Sequence, residues 1–357
     1  MSKSSDFFKC KNCGAIAKFS PSGQDLYCEH CESHSPFEIA NVSGKNFFNP
    51  GDPKFAAPAP GDEDQLSIYG CSNCGAAINV PSNEIALACP FCGTTNIAKN
   101  DNLKSLKPDA CVPFSIEPSA AETGFKAWIK KRWFVPSDLK KKVSANEIKG
   151  VYAPCYAFDT RAFGNYSGTL GKHYTRTVGS GKNRRTVTET RYFSISGNFN
   201  EFFKNIVIEC GPHLDQKTLD KIRPFKVEEA KQYDQRFLSG YSADQYDTEL
   251  KTGFDQAVTV IRAQLKRSIL SGYNYDVVQS FSLFDTYTES AYSYMLLPVY
   301  VSNFTYRQKL FNFFVNGNTG KVTGKVPRSP WKILFAVLGA LAIVAGVAIL
   351  ASVYGGF

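Results

Sequence analysis

No phosphate-cradling GxxxxGK[ST] loop, no GxSxG elbow and no HExxH pair occurs anywhere in the sequence. Their absence removes the P-loop hydrolases, the elbow-type serine hydrolases and the zinc peptidases from consideration. Histidine is scarce: His30, His34, His173 and His213 are the whole complement of four, without metal-ligand spacing. The opening stretch MSKSSDFFKCKNCG lacks the apolar core of a signal peptide, and the cysteine total, eleven, is odd. A secreted disulfide framework is therefore not expected, and the cysteines should sit in a reducing compartment. No catalytic constellation emerges, and lone Cys155 and Cys210 in apolar strands read as buried small hydrophobes. The expectation is a protein that is not an enzyme and has no small-molecule substrate.

What is present is unevenly placed. Eight of the eleven cysteines lie in the first 92 residues as CxxC pairs, leaving Cys111, Cys155 and Cys210 outside. The first cluster is Cys10-x2-Cys13-x14-Cys28-x2-Cys31, and Cys71-x2-Cys74-x14-Cys89-x2-Cys92 repeats it 61 residues later. A two-residue gap turns both thiolates of a knuckle toward one ion, and two knuckles complete a tetrahedron. Glycine follows Cys13, Cys74 and Cys92 and can open the turn, whereas Glu32 stands at that place in the first cluster. Four-thiolate cages also suit iron, and paired disulfides are the other alternative; zinc is the reading taken here. With four cysteines available, His30 and His34 are read as solvent-facing. Each closed set leaves no position for water or substrate, so the two zinc ions are structural. This gives a ribbon over residues 1–45, a Pro- and acid-rich linker over 46–65 and a second ribbon over 66–105.

The run from Ile333 to Phe357 carries no charge. Ile333 to Tyr354 alone spans about 33 Å as a helix, against a hydrocarbon core of about 30 Å. Trp331 and Tyr354 bracket it, and Lys321, Lys325, Arg328 and Lys332 precede it. A single transmembrane helix over 331–354 in the phospholipid bilayer is expected, at the cell membrane, with the N-terminal bulk cytoplasmic. Small residues four apart, Ala336/Ala340 and Ala342/Gly346, offer a helix–helix face.

With 357 residues and 43% apolar composition there is room for a packed domain between these ends, over 110–326. The net charge of +9 suits an anionic partner, phospholipid or nucleic acid. Ser119 to Trp133 reads as a helix with Phe125, Trp128, Ile129 and Trp133 on one stripe. Its basic, Trp-bearing stretch is read as a surface helix with a buried aromatic face, with contact to anionic lipid as the alternative. Strands are expected at Gly150–Phe163, Thr186–Ser196, Phe203–Glu209, Val277–Thr288 and Tyr292–Asn303, with GSGKNRR (179–185) as a hairpin tip. A second helix should start at a Ser242/Gln245 capping box and run through Tyr246, Leu250, Phe254, Val258, Ile261 and Leu265 to Gly272. Asn316-Gly317 signals a tight type I′ turn. Ala153-Pro154-Cys155-Tyr156 and Leu297-Pro298-Val299-Tyr300 share a short pattern that suggests duplication. The fold class is α+β: two N-terminal zinc ribbons, a mostly antiparallel β-sheet domain with two helices, and one C-terminal transmembrane helix.

The paired ribbons, the phrases IKGVYAPCYAFDT, MLLPVYV and VNGNTGKVTGKVP, and the terminal apolar helix resemble a bacterial family of membrane-anchored TFIIB-type zinc-ribbon proteins. Members are often labelled primosomal-helicase-like from their ribbons, yet this chain lacks the nucleotide-binding loop such a helicase requires. The resemblance implies the eight cysteines as ligands. It also implies partners among SPFH-domain and phage-shock-type membrane-stress proteins, for which members look like recruiters. The functional expectation is a membrane-anchored, non-catalytic adaptor that recruits a cytosolic partner protein at the inner face of the membrane. The alternative is a nucleic-acid-binding ribbon protein tethered there. Against it, the second ribbon has no lysine or arginine between Cys71 and Cys92. Its Ile78, Val80, Ile85, Leu87 and Phe91 are instead expected to leave an apolar patch for protein contact.

Overall fold

The computed structural model describes residues 8–42, 44–52, 66–81, 88–100, 106–142, 148–181 and 184–354. In the first ribbon, β1 (Lys18–Ser20), β2 (Asp25–Tyr27) and β3 (His34–Ser35) form a small antiparallel sheet. Then follow β4 (Asn46–Phe48), β5 (Leu66–Cys71), β6 (Ala77–Pro81), β7 (Ile97–Lys99), β8 (Ala110–Cys111), α1 (Pro118–Lys131) and α2 (Ser137–Lys142). The long hairpin β9 (Lys149–Val178) and β10 (Arg185–Glu209) leads to α3 (Gln216–Ile222), β11 (Lys231–Gln232), β12 (Ser242–Asp244) and α4 (Leu250–Ser271). The chain closes with β13 (Val277–Tyr306), β14 (Lys309–Asn316), β15 (Val322–Gly324) and α5 (Pro330–Tyr354). This is a mixed α+β fold, mostly sheet.

The spine is the antiparallel pair β9–β13, in register from Gly171↔Val277 to Lys149↔Val301. At its base both strands are buried on both faces, as the near-continuous apolar runs Val151–Phe158 and Ala291–Phe304 require. Further out burial alternates, and β10 pairs the other edge of β9 from Glu209 to Arg185 to make a three-stranded arm. Gly164 and Gly168 break the β-branched pattern, because a Cβ at either would run into the carbonyl oxygens of Phe284 or Ser280. Those glycines made the sequence read as several short strands, whereas the arm is continuous. The GSGKNRR segment does connect β9 to β10, with residues 182–183 outside the described set.

The short shared pattern turns out to mark a duplicated unit. Ala153 pairs directly with Leu297, at the centre of an approximate two-fold relating β9 to β13. β12 runs parallel to β9 at Val151 and Tyr152, and β8 runs parallel to β13 at the equivalent Met295 and Leu296. The amide of Cys210 bonds to the Pro154 carbonyl, as that of Gly317 bonds to the Pro298 carbonyl. Each unit then has its helix, N-capped at Glu117 in α1 and at Glu249 in α4. The buried residues correspond: Ala121 with Gly253, Phe125 with Ala257, Ile129 with Ile261. Between helix and shared strand the units differ: the first passes from Ile129 to Ala153 through α2, whereas the second passes from Ile261 to Leu297 through the end of α4 and the outer half of β13.

Several local expectations fail. The sheet domain carries four helices among the described residues, α1 to α4, where two are expected, because α2 and α3 are too short to show an apolar stripe. Helix α4 begins at Leu250, and Ser242 lies in β12, because bridging β6 to β9 takes precedence over a helix cap. Helix α1 ends at Lys131, so Trp133 leaves the apolar stripe and is exposed. The Asn316-Gly317 segment forms a wider loop, closed by Asn316 N–H to Lys321 O. The Asn316 amide is committed there, donating to Ile222 O and Pro224 O and accepting from Asn318 N–H. The two-residue turn with both φ angles positive is Arg307–Gln308, between β13 and β14. In the segment read as linker, Asn46–Phe48 pairs with β13 as β4, and residues 53–65 lie outside the described set.

Candidate metal centres

Each knuckle begins where a ribbon strand or its approach ends and the chain doubles back on itself. Gly14, Gly75 and Gly93 adopt φ of 74°, 77° and 75° and donate their N–H to the carbonyls of Cys10, Cys71 and Cys89. Glu32 takes the same conformation, φ 56°, and bonds to Cys28 O. The departure from glycine therefore costs backbone strain but preserves the knuckle.

The four sulfurs of Cys10, Cys13, Cys28 and Cys31 lie within 4.8 Å of one another, as do those of Cys71, Cys74, Cys89 and Cys92. Cys10–Cys31 is 3.5 Å, and Cys13–Cys28, Cys71–Cys92 and Cys74–Cys89 are each 3.6 Å. Disulfides would need about 2 Å. A tetrahedral zinc with Zn–S of roughly 2.3 Å sets its sulfurs about 3.8 Å apart, so both groups fit a zinc ion. Burial repeats between them: Cys10 and Cys28, like Cys71 and Cys89, are buried, while Cys13 and Cys74 face solvent.

The surroundings prepare some thiolates more than others. The Ser33 hydroxyl, 3.0 Å from both Cys10 Sγ and Cys31 Sγ, lowers Cys10 to about 6 and brings Cys31 down as well. In the second site burial opposes the charge of Cys92, but the Asn73 side chain and the Thr94 N–H outweigh it and bring the thiol to about 7. Burial pushes Cys74 up to about 11. Four thiolates cannot share so small a volume without a cation, which is what a dication supplies when bound. Cys111, Cys155 and Cys210 are fully buried and pushed up by desolvation, as inert core thiols should be.

Both ribbons are seated on the central body. Phe19 and Phe37 pack against Phe237, and Phe19 N–H bonds to Ser239 O. Ser22 and Gln24 reach Glu117 and Phe114 O. The second ribbon enters the large sheet itself, with β6 paired to β12 at Ile78↔Asp244. Ile78, Val80 and Phe91 are buried against Val112, Val151, Leu297 and Val299. The expected apolar patch is thus consumed inside the chain, because the small ribbon borrows the core of its neighbour; Ile85 and Leu87 lie outside the described residues.

Sequence reasoning missed a polar cluster beneath the second knuckle. Phe91 stacks on His213 at 4.3 Å, and His213 Nδ1 lies 3.0 and 3.1 Å from the two carboxylate oxygens of buried Asp244. Glu209, nearby, accepts from Gly211 N–H and is raised to about 9 by burial. No local motif signals this cluster, whose members come from β10, β12 and the segment before α3. His34 is solvent-facing as expected, and its ring also engages Asp25 at 2.9 Å.

Among the described residues one helix, α5, is long and apolar enough to cross a membrane, and over Pro330–Val347 its side chains find no cover in the protein. The chain is similar to the "Uncharacterized protein YdjG" of Bacillus subtilis (strain 168), 27% identical over 331 residues, 91% of each chain. No model of a known family matches, and no solved structure matches.

Proposed function

We propose that this chain is a membrane-anchored, non-catalytic adaptor. In this reading α5 holds it in the bilayer and the zinc-stiffened body presents a docking surface to a cytosolic protein. The observation that carries the reading is the open face of the β10–β9–β13 arm. Phe163 stands opposite Asn200 and Thr286, Phe202 opposite Arg161, and Phe284 opposite Asn165, so the three rings share one face. They are 37%, 47% and 62% exposed. Asn165, Ser167, Asn198, Asn200, Thr286 and Thr288 surround them, all exposed. Helix α4 covers the opposite face through Leu250, Phe254, Ile261 and Leu265. Exposed rings on a sheet platform, with a rim of neutral polar side chains and the Arg161–Glu289 pair, suit a protein partner.

The resemblance to membrane-anchored TFIIB-type ribbon proteins supports the same reading and suggests an SPFH-domain or membrane-stress protein as the partner. A nucleic-acid partner would call for phosphate-neutralising cations. The open face offers Arg161, already paired with Glu289 at 2.9 Å. The test is a pull-down from detergent-solubilised membranes with the full chain and a Phe163→Ser/Phe202→Ser/Phe284→Ser variant, each with and without nuclease. A nuclease-resistant partner that is lost with the variant is expected. Retention by the variant would sink the arm as the docking face, and loss on nuclease treatment would promote the nucleic-acid reading.

A further inference from the structure

We propose that the corner between α1 and α2 is a second membrane contact, in which Trp133 and Phe134 enter the lipid interface and the surrounding cations bind anionic phospholipid headgroups. The proposal rests on α5 crossing the bilayer, as in the reading above. Two hydrogen bonds hold the corner at the level where that helix begins. Ser329 N–H donates to Phe134 O at 2.7 Å, and Lys332 Nζ donates to Val135 O at 2.8 Å. Whatever depth the start of α5 occupies, the corner shares it.

The side chains at this corner are divided in an unusual way for a soluble surface. Val135 and Leu139 are buried and anchor the segment, while Trp133 and Phe134 are turned outward, 58% and 43% exposed, with ring centroids 5.2 Å apart. Trp331, also exposed, lies at the start of α5. Tryptophan at the headgroup level keeps its apolar body in lipid and its N–H in water.

The charge around these rings is predominantly positive. Lys130, Lys131 and Arg132 close α1, and Lys140 reaches back to Lys130 O at 2.9 Å. Arg307 stands over the Tyr306 ring in the β13–β14 turn, and Tyr306 in turn donates to Asp138 at 3.0 Å. Arg328 and Lys332 complete the set from the α5 side. Asp138, the acid at this corner, is taken up by Tyr306. A helix C-terminus accounts for Lys130 and Lys131 by its dipole alone, but not for the paired exposed rings or for Arg307. Clustered cations beside a span are drawn to an anionic leaflet.

The test uses the full chain reconstituted in vesicles of phosphatidylcholine, with or without phosphatidylglycerol, doped with brominated lipid. Trp128→Phe/Trp331→Phe leaves Trp133 as the reporter, and bound zinc checks that the variant is folded. Bromolipid quenching of Trp133 is expected, about twofold stronger with phosphatidylglycerol, and Lys130→Glu/Lys131→Glu/Arg307→Glu should abolish that difference. In the otherwise native chain, Trp133→Ser should remove the same increment of quenching. Resistance of the protein to carbonate extraction reports α5 separately. Carbonate-resistant protein whose Trp133 is quenched by iodide but not by bromolipid overturns the corner and leaves the span intact. Extraction by carbonate overturns both, and equal quenching in the two lipids overturns the headgroup assignment.

Discussion

A side chain held against its preference leaves a measurable margin, and Glu32 and Glu209 are two such residues. Glu32 adopts a left-handed conformation that glycine takes at the other three knuckles. Replacing it by glycine should relieve about 1 kcal/mol, seen as slower zinc loss from the first ribbon to a competing chelator. Glu209 is a buried carboxyl raised to about 9 by desolvation. The folded state therefore holds a proton that the unfolded chain has released at neutral pH. Stability contributed by this group is complete below the unfolded value and declines as pH rises toward about 9. Glu209→Gln keeps the acceptor for Gly211 N–H and removes that titration. It should raise stability by about 1–2 kcal/mol at pH 8.5 and by distinctly less at pH 6, as read from denaturant midpoints at the two pH values.

Among the elements, the ribbons were the most legible part, because a CxxC knuckle is read from four consecutive residues and is closed by its own backbone hydrogen bonds. Two zinc ions per chain are expected by elemental analysis, which would equally report iron. Cys74→Ser should bring the count to one. Because β6 is paired with β12, its loss should also loosen the sheet around Asp244, which amide hydrogen exchange would detect. Helix α4 was legible from its apolar stripe, but its start was not. Ser242 and Gln245 look like a capping box locally, and only the parallel pairing of β12 with β9 explains why they form a strand. The signal for a tight turn is strong at Asn316-Gly317, yet the turn occurs at Arg307–Gln308, whose residues carry no such signal. The His213–Asp244–Phe91 cluster was invisible for the same reason: its three members meet only after the sheet has formed.

At the scale of the whole molecule, the duplicated unit explains why so much sheet is built on one spine. The proposed orientation predicts that residues 1–100 are cytosolic. A membrane-impermeant thiol reagent, applied to intact cells under zinc-chelating conditions, should leave Cys13 and Cys74 unlabelled. Deleting residues 331–357 should release a soluble protein that retains weak, salt-sensitive binding to phosphatidylglycerol vesicles through the α1–α2 corner. The length of the arm has one more consequence. Strand β13 has its C-terminal end beside that corner and its N-terminal end near the β9–β10 tip, and its 30 residues amount to roughly 100 Å of contour before twist and bulges shorten it. In physiological salt a charge is screened over about 8 Å. Arg184 and Arg185 at the tip are thus electrically out of sight of the bilayer. In the proposed orientation the two basic regions answer to different neighbours, the base to lipid and the tip to whatever the cytosol brings.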